Sequence, residues 1–136
     1  MAEQTGGSTL HIGELADKTG LSLRTIRHYD DVGLLPATSR TEGGFRLYSD
    51  ADVESLLLIK QMKPLGFSLE EMAEILALIA AEAGREGVGA DASPNSARLG
   101  DFLEQAVQQR AKMARNLAQA DDFIDMLGVR ARGTAA

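Results

Sequence analysis

The apolar residues in the first part of the chain recur at helical spacing and predict two short helices. The first helix places four residues on one face: Ile12, Leu15, Ala16 and Thr19. Gly20 is positioned to end this helix, and Ser22 follows as the N-cap of the next, with its hydroxyl accepting a bond from the Thr25 backbone N–H. Gly33 is positioned to end the second helix. Two short helices joined by a tight glycine-containing turn form a helix-turn-helix pattern.

The second predicted helix has a narrow apolar stripe and a broad polar surface. Leu23 and Ile26 are three residues apart and Asp30 lies four residues further on, which predicts a narrow buried side. The remaining faces carry two guanidinium groups, a hydroxyl, an imidazole and a phenol: Arg24, Thr25, Arg27, His28 and Tyr29. Arginine can bind guanine with two hydrogen bonds, and all five side chains can contact phosphate. This surface is typical of a helix that enters a DNA groove, while a solvated polar face is the alternative.

A β-hairpin is predicted after the helix-turn-helix. The Gly43-Gly44 pair marks its turn, and the residues that follow alternate in character. The alternation predicts that Phe45 and Leu47 face a core, whereas Arg46 and Tyr48 face solvent. The result would be a two-stranded wing with a cationic and phenolic outer face, or else a plain surface hairpin. Two strands alone are marginally stable, so this hairpin is expected to lean on the helices beside it.

Two further helices are predicted from capping boxes, in which a serine and an acid three residues later satisfy each other's backbone N–H groups. Ser49 with Asp52 begins the third helix, and Ser68 with Glu71 begins the fourth. The predicted buried stripes are Val53, Leu56, Leu57 and Lys60 in the third helix, and Met72, Ile75, Leu76 and Ile79 in the fourth.

The C-terminal part of the chain has a longer periodicity. Apolar positions alternate at spacings of four and three over about four heptads. The members of this seam are Leu99, Leu103, Ala106, Arg110, Met113, Leu117, Ala120, Ile124 and Leu127. Nothing else in the chain is long enough to cover such a stripe, which therefore predicts a coiled coil with a second copy. The charged member, Arg110, either snorkels past a small neighbour or fixes the register against a partner carboxylate.

These patterns divide the chain into five parts. They are a disordered N-terminus (1–9), a DNA-binding domain (10–83), a flexible linker (84–96), a coiled-coil dimerisation helix (97–128) and a disordered tail (129–136). The composition, which is poor in aromatic residues at 4%, favours a mainly α-helical protein. The net charge of −6 argues weakly against nucleic acid. Because acids and bases are mixed between residues 24 and 63, any basic face must be produced by folding.

Several kinds of site are excluded or disfavoured by residue types. The chain has no cysteine, which excludes disulfides, thiolate metal sites and cysteine redox switches. The N-terminal residues lack the basic start and apolar core of a signal peptide. The longest apolar run, Ile75 to Ala81, is too short to span a bilayer. We therefore expect a cytoplasmic protein with no metal and no cofactor.

Five segments together resemble the MerR family of bacterial transcription regulators, in order and with the family's spacing over residues 10–80. They are Ile12-Gly13-Glu14-Leu15-Ala16, Thr25-Ile26-Arg27-His28-Tyr29, Gly33-Leu34-Leu35, Gly44-Phe45-Arg46-Leu47-Tyr48 and Leu65-Gly66-Phe67-Ser68-Leu69. The resemblance implies a winged helix-turn-helix, a second helix pair, and a homodimer joined by an antiparallel coiled coil. It also implies binding to a palindromic promoter element, which activators of the family bend and untwist so that RNA polymerase can engage it.

The resemblance also implies roles for individual residues. Those in the recognition helix would read bases or grip the backbone, and those in the wing and the helix behind it would hold phosphates. The first group is Ser22, Arg24, Thr25, Arg27, His28 and Tyr29, and the second is Arg40, Arg46, Tyr48, Lys60 and Lys63. His28 departs from the family's usual aromatic residue and would add a pH-sensitive phosphate contact. The long linker and the absence of the sensors' cysteines are further departures, and they leave the effector unknown.

Three other functions compete with a dimeric DNA-binding regulator. A small-molecule-binding module is disfavoured because only Phe102 and Phe123 follow Phe67 among the aromatic residues. A protein-interaction module with a degenerate DNA head is disfavoured by the presence of the arginines in the recognition helix and wing. An enzyme is the least favoured, since His11 and His28 pair with no recognisable nucleophile, and Asp30 and Asp31 beside His28 make a poor metal site.

Overall fold

The computed structural model describes residues 9–83 and 93–133, which form two separate units. We call residues 9–83 the head and residues 93–133 the C-terminal unit. Most of the predicted linker, residues 84–92, lies outside the described residues, as do residues 1–8 and 134–136. Each unit is described by itself below.

The head is a winged helix-turn-helix followed by a second pair of helices. Its elements are β1 (Thr9–His11), α1 (Ile12–Thr19), α2 (Leu23–Asp31), β2 (Ser39–Arg40), β3 (Arg46–Ser49), α3 (Asp50–Met62), a 3-10 turn (Lys63–Leu65) and α4 (Leu69–Ala83). The three strands form one antiparallel sheet in the order β1-β3-β2. The fold predicted for this part of the chain is confirmed, with one additional strand.

The predicted helix signals are confirmed by the hydrogen bonds at the helix ends. Gly20 ends α1 with a left-handed φ of 76°, and Ser22 begins α2 by accepting a bond of 3.1 Å from the Thr25 N–H. The Ser49–Asp52 box is present at the start of α3. The second box is equally clear, because the Ser68 N–H donates to Glu71 Oε1 at 2.9 Å and the Glu71 N–H donates to Ser68 Oγ at 3.1 Å.

The core of the head lies between the helices and the inner face of the sheet. Its most deeply buried side chains come from α1, α2, β3, α3 and α4: Leu15, Ile26, Tyr48, Leu56, Ile59 and Met72. The buried row of α3 differs from the predicted stripe. Leu57 is 40% exposed, and Ile59 and Met62 are buried instead. The reason is that α3 packs against α1, β3 and α4 along the Leu56–Ile59–Met62 row.

The orientation predicted for the wing is wrong by one residue. Tyr48 is fully buried, whereas Phe45 is 71% exposed and Leu47 is half-buried. The cause is strand β1, which was not predicted and which pairs Leu10 with Tyr48. This pairing places Leu10 and Tyr48 side by side on the face of the sheet that packs on the helices. It also places Thr9 in a strand rather than in a disordered N-terminus.

The described part of the C-terminal unit is one long helix, α5 (Pro94–Ala131), of 38 residues. Ser93 caps its start by accepting a bond from the Ser96 N–H at 3.0 Å, and Pro94 occupies the first turn, where no N–H bond is lost. Residues 94–96 are therefore helical rather than linker, and residues 129–131 are helical rather than tail. Within the described residues, no helix is long and apolar enough to cross a membrane.

Candidate nucleic-acid interface

One face of α2 is fixed in the core, and the opposite face is free. Ile26 and Tyr29 are 0% and 2% exposed, and they anchor the helix. Arg24, Arg27 and His28 are exposed and lie three and four residues apart, so they share the outward face. Within the described residues, neither arginine of this face forms an ion pair. The structure thus brings together three of the predicted DNA-binding side chains on one rigid helix.

The N-terminus of α2 adds two hydroxyl groups beside this face. Ser22 Oγ accepts from the Thr25 N–H and donates to Thr25 Oγ1 at 2.9 Å. Ser22 is exposed and Thr25 is half-buried. Both hydroxyls therefore serve the cap, and they lie where the positive end of the helix dipole favours an anion.

Two tyrosines predicted to contact DNA are buried in the head. Tyr29 is on the core side of α2, although its ring lies 6.0 Å from that of the exposed His28. Tyr48 is 0% exposed, and its hydroxyl has no hydrogen-bond partner among the described residues. Burial, followed by the nearby charge of Asp30, raises the pKa of Tyr48. The prediction that Tyr48 lies on the outer face of the wing is therefore wrong, and neither phenol forms part of the surface.

The tip of the wing is a compact loop held by its own backbone. The Thr41 N–H donates to the Phe45 carbonyl at 2.9 Å, and the Phe45 N–H donates to Thr41 Oγ1 at 3.1 Å. Gly44 has a left-handed φ of 87°, which completes the reversal. The loop holds the ring of Phe45 at the end of the wing, in solvent.

The base of the wing is bound to α2 by a carboxylate. Asp30 Oδ2 accepts from Arg46 Nε at 2.6 Å and from an Arg40 Nη at 3.2 Å, and Asp30 Oδ1 accepts from the Ala37 N–H at 3.0 Å. Arg46 also reaches Asp31 at 3.4 Å. The side chain of Asp30 is only 11% exposed. The two wing arginines predicted to hold phosphates are therefore already engaged by this carboxylate, which we call the Asp30 hub.

The electrostatics of the Asp30 hub follow from these contacts. Burial alone would raise the pKa of the Asp30 carboxyl, but the bond from Arg46, the bond from Ala37, and the charges of Arg46 and Arg40 together lower it. The bond to Asp30 likewise raises the pKa of Arg46. Both groups are thus held in their charged forms.

The two predicted lysines behind the wing have different surroundings. Lys60 Nζ donates to the Thr19 carbonyl at 2.8 Å and so caps the C-terminal end of α1. Lys63 is exposed at the start of the 3-10 turn. Lys60 therefore links α3 to α1, a contact that the sequence did not indicate.

Two residues of this surface were missed by sequence reasoning. The helical spacing predicts only that Asp30 lies on the apolar side of α2, although a carboxylate on the inner side of a helix needs a cationic partner. The alternation within the hairpin predicts Phe45 in the core because it does not include β1, which sets the orientation of β3. The position of Asp30 was indicated by the sequence, because an acid lay on the apolar side of a helix. The orientation of Phe45 depended on a strand pairing between residues almost forty positions apart.

The predicted dimerisation residues lie along one side of α5. Leu99 and Ala106 are half-buried, and the other members of the seam are exposed, with Leu117 at 64% and Ile124 at 62%. Arg110, Met113 and Leu117 line one open apolar depression on this side. Within the described residues, no cluster of three or more potential metal ligands is found.

Comparison with known proteins places this geometry in context. The family model for MerR HTH family regulatory proteins matches residues 10–79, which are just over half of the chain. The mercuric resistance operon regulatory protein of Bacillus cereus is 48% identical over 68 residues, which cover 50% of this chain and 52% of that protein. The transcriptional activator TipA of Streptomyces coelicolor is 37% identical over 109 residues, covering 80% of this chain and 40% of that protein.

A solved structure extends the likeness beyond the head. A MerR family transcriptional regulator from Bacillus cereus has 26% identity and a TM-score of 0.63, with 95% of this chain and 87% of that chain covered. This chain spans about half the length, or less, of the curated relatives it matches. The names of these two relatives describe a regulatory protein and a transcriptional activator. The match to the family model over residues 10–79 shows that the chain belongs to the MerR HTH family of regulatory proteins.

Proposed function

We propose that the chain is a sequence-specific, DNA-binding transcription regulator whose reading surface is the outward face of α2. One observation carries the proposal: Arg24, Arg27 and His28 are exposed on a helix whose other face is locked into the core by Ile26 and Tyr29. A rigid helix that presents arginines can enter the major groove without first being ordered. The regulators among its relatives support this assignment.

We propose that the regulator acts as a homodimer joined through α5. Its seam exposes Leu103, Leu117, Ile124 and Leu127, which is too much apolar surface for an isolated helix in water. A helix of 38 residues is about 57 Å long at about 1.5 Å per residue, enough to pair over several heptads. Two heads held by such a pair would bind two halves of a palindromic promoter element.

We further propose, from the family resemblance, that the dimer bends and untwists its promoter so that RNA polymerase can engage it. The free energy of deforming DNA must come from phosphate contacts made by both heads and both wings. Footprinting of the protein on its own upstream region, with a probe for unpaired or kinked bases, tests this step. Hyper-reactive bases at the centre of the site are expected, and smooth protection would indicate simple occlusion instead.

The DNA-binding proposal is tested by substituting the arginines of α2. Arg24→Ala and Arg27→Ala are expected to reduce affinity for the operator by at least about tenfold each, because each removes a base or phosphate contact of about 1–3 kcal/mol. Arg115→Ala is the matched control, since it removes the same charge from the side of α5 away from the seam. Equal effects of all three variants would show only a loss of net charge.

The salt dependence of binding gives a second test. If about three cationic side chains per subunit meet phosphates, the log–log slope of affinity against salt concentration should be about −5 for the dimer. A slope near zero would contradict the proposal, because binding without phosphate contacts releases no counterions.

A further inference from the structure

The Asp30 hub has the composition of a phosphate site that is occupied by the protein's own carboxylate. Two guanidinium groups and one backbone N–H converge on Asp30, at 2.6, 3.2 and 3.0 Å. Carboxylates and phosphates offer the same kind of paired oxygen acceptors to arginine. Arg40 remains 50% exposed, so its guanidinium is open to solvent while it contacts Asp30.

Asp30 belongs to α2, the proposed reading helix, whereas its partners belong to the wing and the loop before it. The carboxylate therefore fixes the distance between the base-reading face and the wing. It also offsets one of the two positive charges of the wing, because Arg40 and Arg46 share this largely buried acid. Arg46 contacts the exposed Asp31 as well. DNA that meets the wing without correct docking of α2 finds both arginines already engaged.

We propose that Asp30 is a specificity-determining residue that competes with DNA phosphates for Arg40 and Arg46. The proposal rests on the DNA-binding function proposed above. In correctly docked DNA, the phosphates are held against the wing at high local concentration and take over the guanidinium groups. In random encounters the arginines stay on Asp30, so sequence-independent binding lacks their contribution. Asp30 thus lowers affinity for random DNA more than affinity for the operator.

The test compares Asp30→Asn with Asp31→Asn on the operator found by footprinting and on a scrambled duplex of the same composition. Both variants remove one acidic charge from neighbouring positions of α2, but Asp31 is 68% exposed and contacts Arg46 only at 3.4 Å. In D30N the log–log salt slope on scrambled DNA should steepen by about 0.9 per freed guanidinium. The ratio of operator to scrambled affinity should fall about tenfold, which is the effect of one lost specific contact. D31N removes only the longer contact, from an exposed carboxylate, so it should change both measurements much less than D30N does.

A second variant keeps the proposal testable if D30N folds poorly. Arg46→Gln is expected to weaken operator binding about tenfold while it changes scrambled-DNA binding less than about twofold, because the competition model gives Arg46 a phosphate only in the docked state. Circular dichroism and thermal melting establish the folded fraction of each variant.

The outcomes separate the two proposals. If D30N and D31N have the same slope and the same affinity ratio, or if D30N weakens both DNAs equally, Asp30 has only a structural role and the competition model is overturned. If the unsubstituted protein binds no DNA, the proposed function fails, and the competition model fails with it. If the operator footprint is preserved and the D30N and D31N data match, the competition model is overturned while the proposed DNA-binding function stands.

Discussion

At Tyr48, a role in the stability of the wing can be distinguished from the DNA contact that the family resemblance implies. Its ring fills the space between the sheet and the helices, and its hydroxyl is buried without a partner among the described residues. A buried hydroxyl without a hydrogen bond lowers the free energy of unfolding, whereas the ring that carries it raises this free energy by burying apolar surface. The two contributions can be separated by removing the oxygen alone.

Tyr48→Phe is expected to raise the free energy of unfolding by about 1 kcal/mol, because it removes an unsatisfied polar atom and keeps the ring. Urea denaturation with an unchanged m-value measures the difference. Operator affinity should stay the same, since the hydroxyl is not at the surface. A tenfold loss of affinity with unchanged stability would instead restore the phosphate contact that the family resemblance implied for Tyr48.

Asp30 gives a prediction about acid. Its pKa is lowered in the folded protein from the ordinary 3.8, so the unfolded chain binds its proton first. The stability that Asp30 contributes is therefore fully present above about pH 4 and is lost as the pH falls through the lower, folded-state pKa. The charged groups that face it are Arg46, Arg40 and the neighbouring Asp31.

Asp30→Asn is expected to flatten this acid limb. Thermal melts between pH 5 and pH 2.5 should show that the unsubstituted protein loses more stability than D30N. The Asp31→Asn variant is the control, and its curve should follow that of the unsubstituted protein. Parallel curves for all three proteins would show that the Asp30 hub contributes no pH-dependent stability.

At the scale of elements, the head depends on how α1 ends and how α3 meets it. Gly20 turns the chain with a left-handed φ of 76°, and a Cβ built there would lie 3.0 Å from Lys60 Nζ. The same lysine donates to the Thr19 carbonyl. One glycine therefore permits both the turn of the helix-turn-helix and the link from α3 to α1.

Gly20→Ala is expected to destabilise the head by about 1 kcal/mol or more, since alanine is strained at positive φ and its methyl group displaces the lysine. Gly13→Ala is the matched control. Gly13 lies inside α1 with no atom within 4 Å of an added Cβ, so alanine there should stabilise by about 0.4–1 kcal/mol. Urea denaturation of both variants gives opposite signs if the turn geometry matters, and equal shifts would contradict this account.

The elements also show what the sequence could and could not predict. The starts of these helices were predictable because Ser22, Ser49 and Ser68 each accept a hydrogen bond from a backbone N–H only three residues further on. The direction of the wing side chains was not, because it is decided by the pairing of Leu10 with Tyr48, far away in the chain. The basic face of α2 followed from helical spacing.

The Asp30 hub was harder to foresee, because it joins three segments that only folding brings together. Asp30 lies on α2, Ala37 lies in the loop after it, and Arg46 lies on β3. The two segments that donate long-range hydrogen bonds to this carboxylate are separated from α2 and from each other by turns whose geometry local patterns do not fix. Arg40 and Arg46 lie on the wing as predicted, but the sequence did not indicate their carboxylate partner, and their binding to phosphate stays a prediction.

At the scale of the whole molecule, the proposed function requires two copies. Because the seam of α5 is exposed, the need for two copies can be tested by introducing one charged side chain into it. Leu117 is 64% exposed and central in the seam, and Leu117→Glu would place a carboxylate in the apolar interface between two helices. Gln119→Glu adds a carboxylate two residues away, on the opposite side of α5, and is the matched control.

Sedimentation at micromolar concentration should show a dimer for the unsubstituted protein and for Q119E, and a monomer for L117E. Operator affinity should fall in L117E because the monomer has one head, which contacts only half of the phosphates. The log–log salt slope should drop by about half for the same reason. L117E should keep the circular dichroism of the head. A dimer in L117E, or a monomer in the unsubstituted protein, would remove the basis for a palindromic site, since nothing else would hold two reading helices at a fixed distance on one face of the duplex.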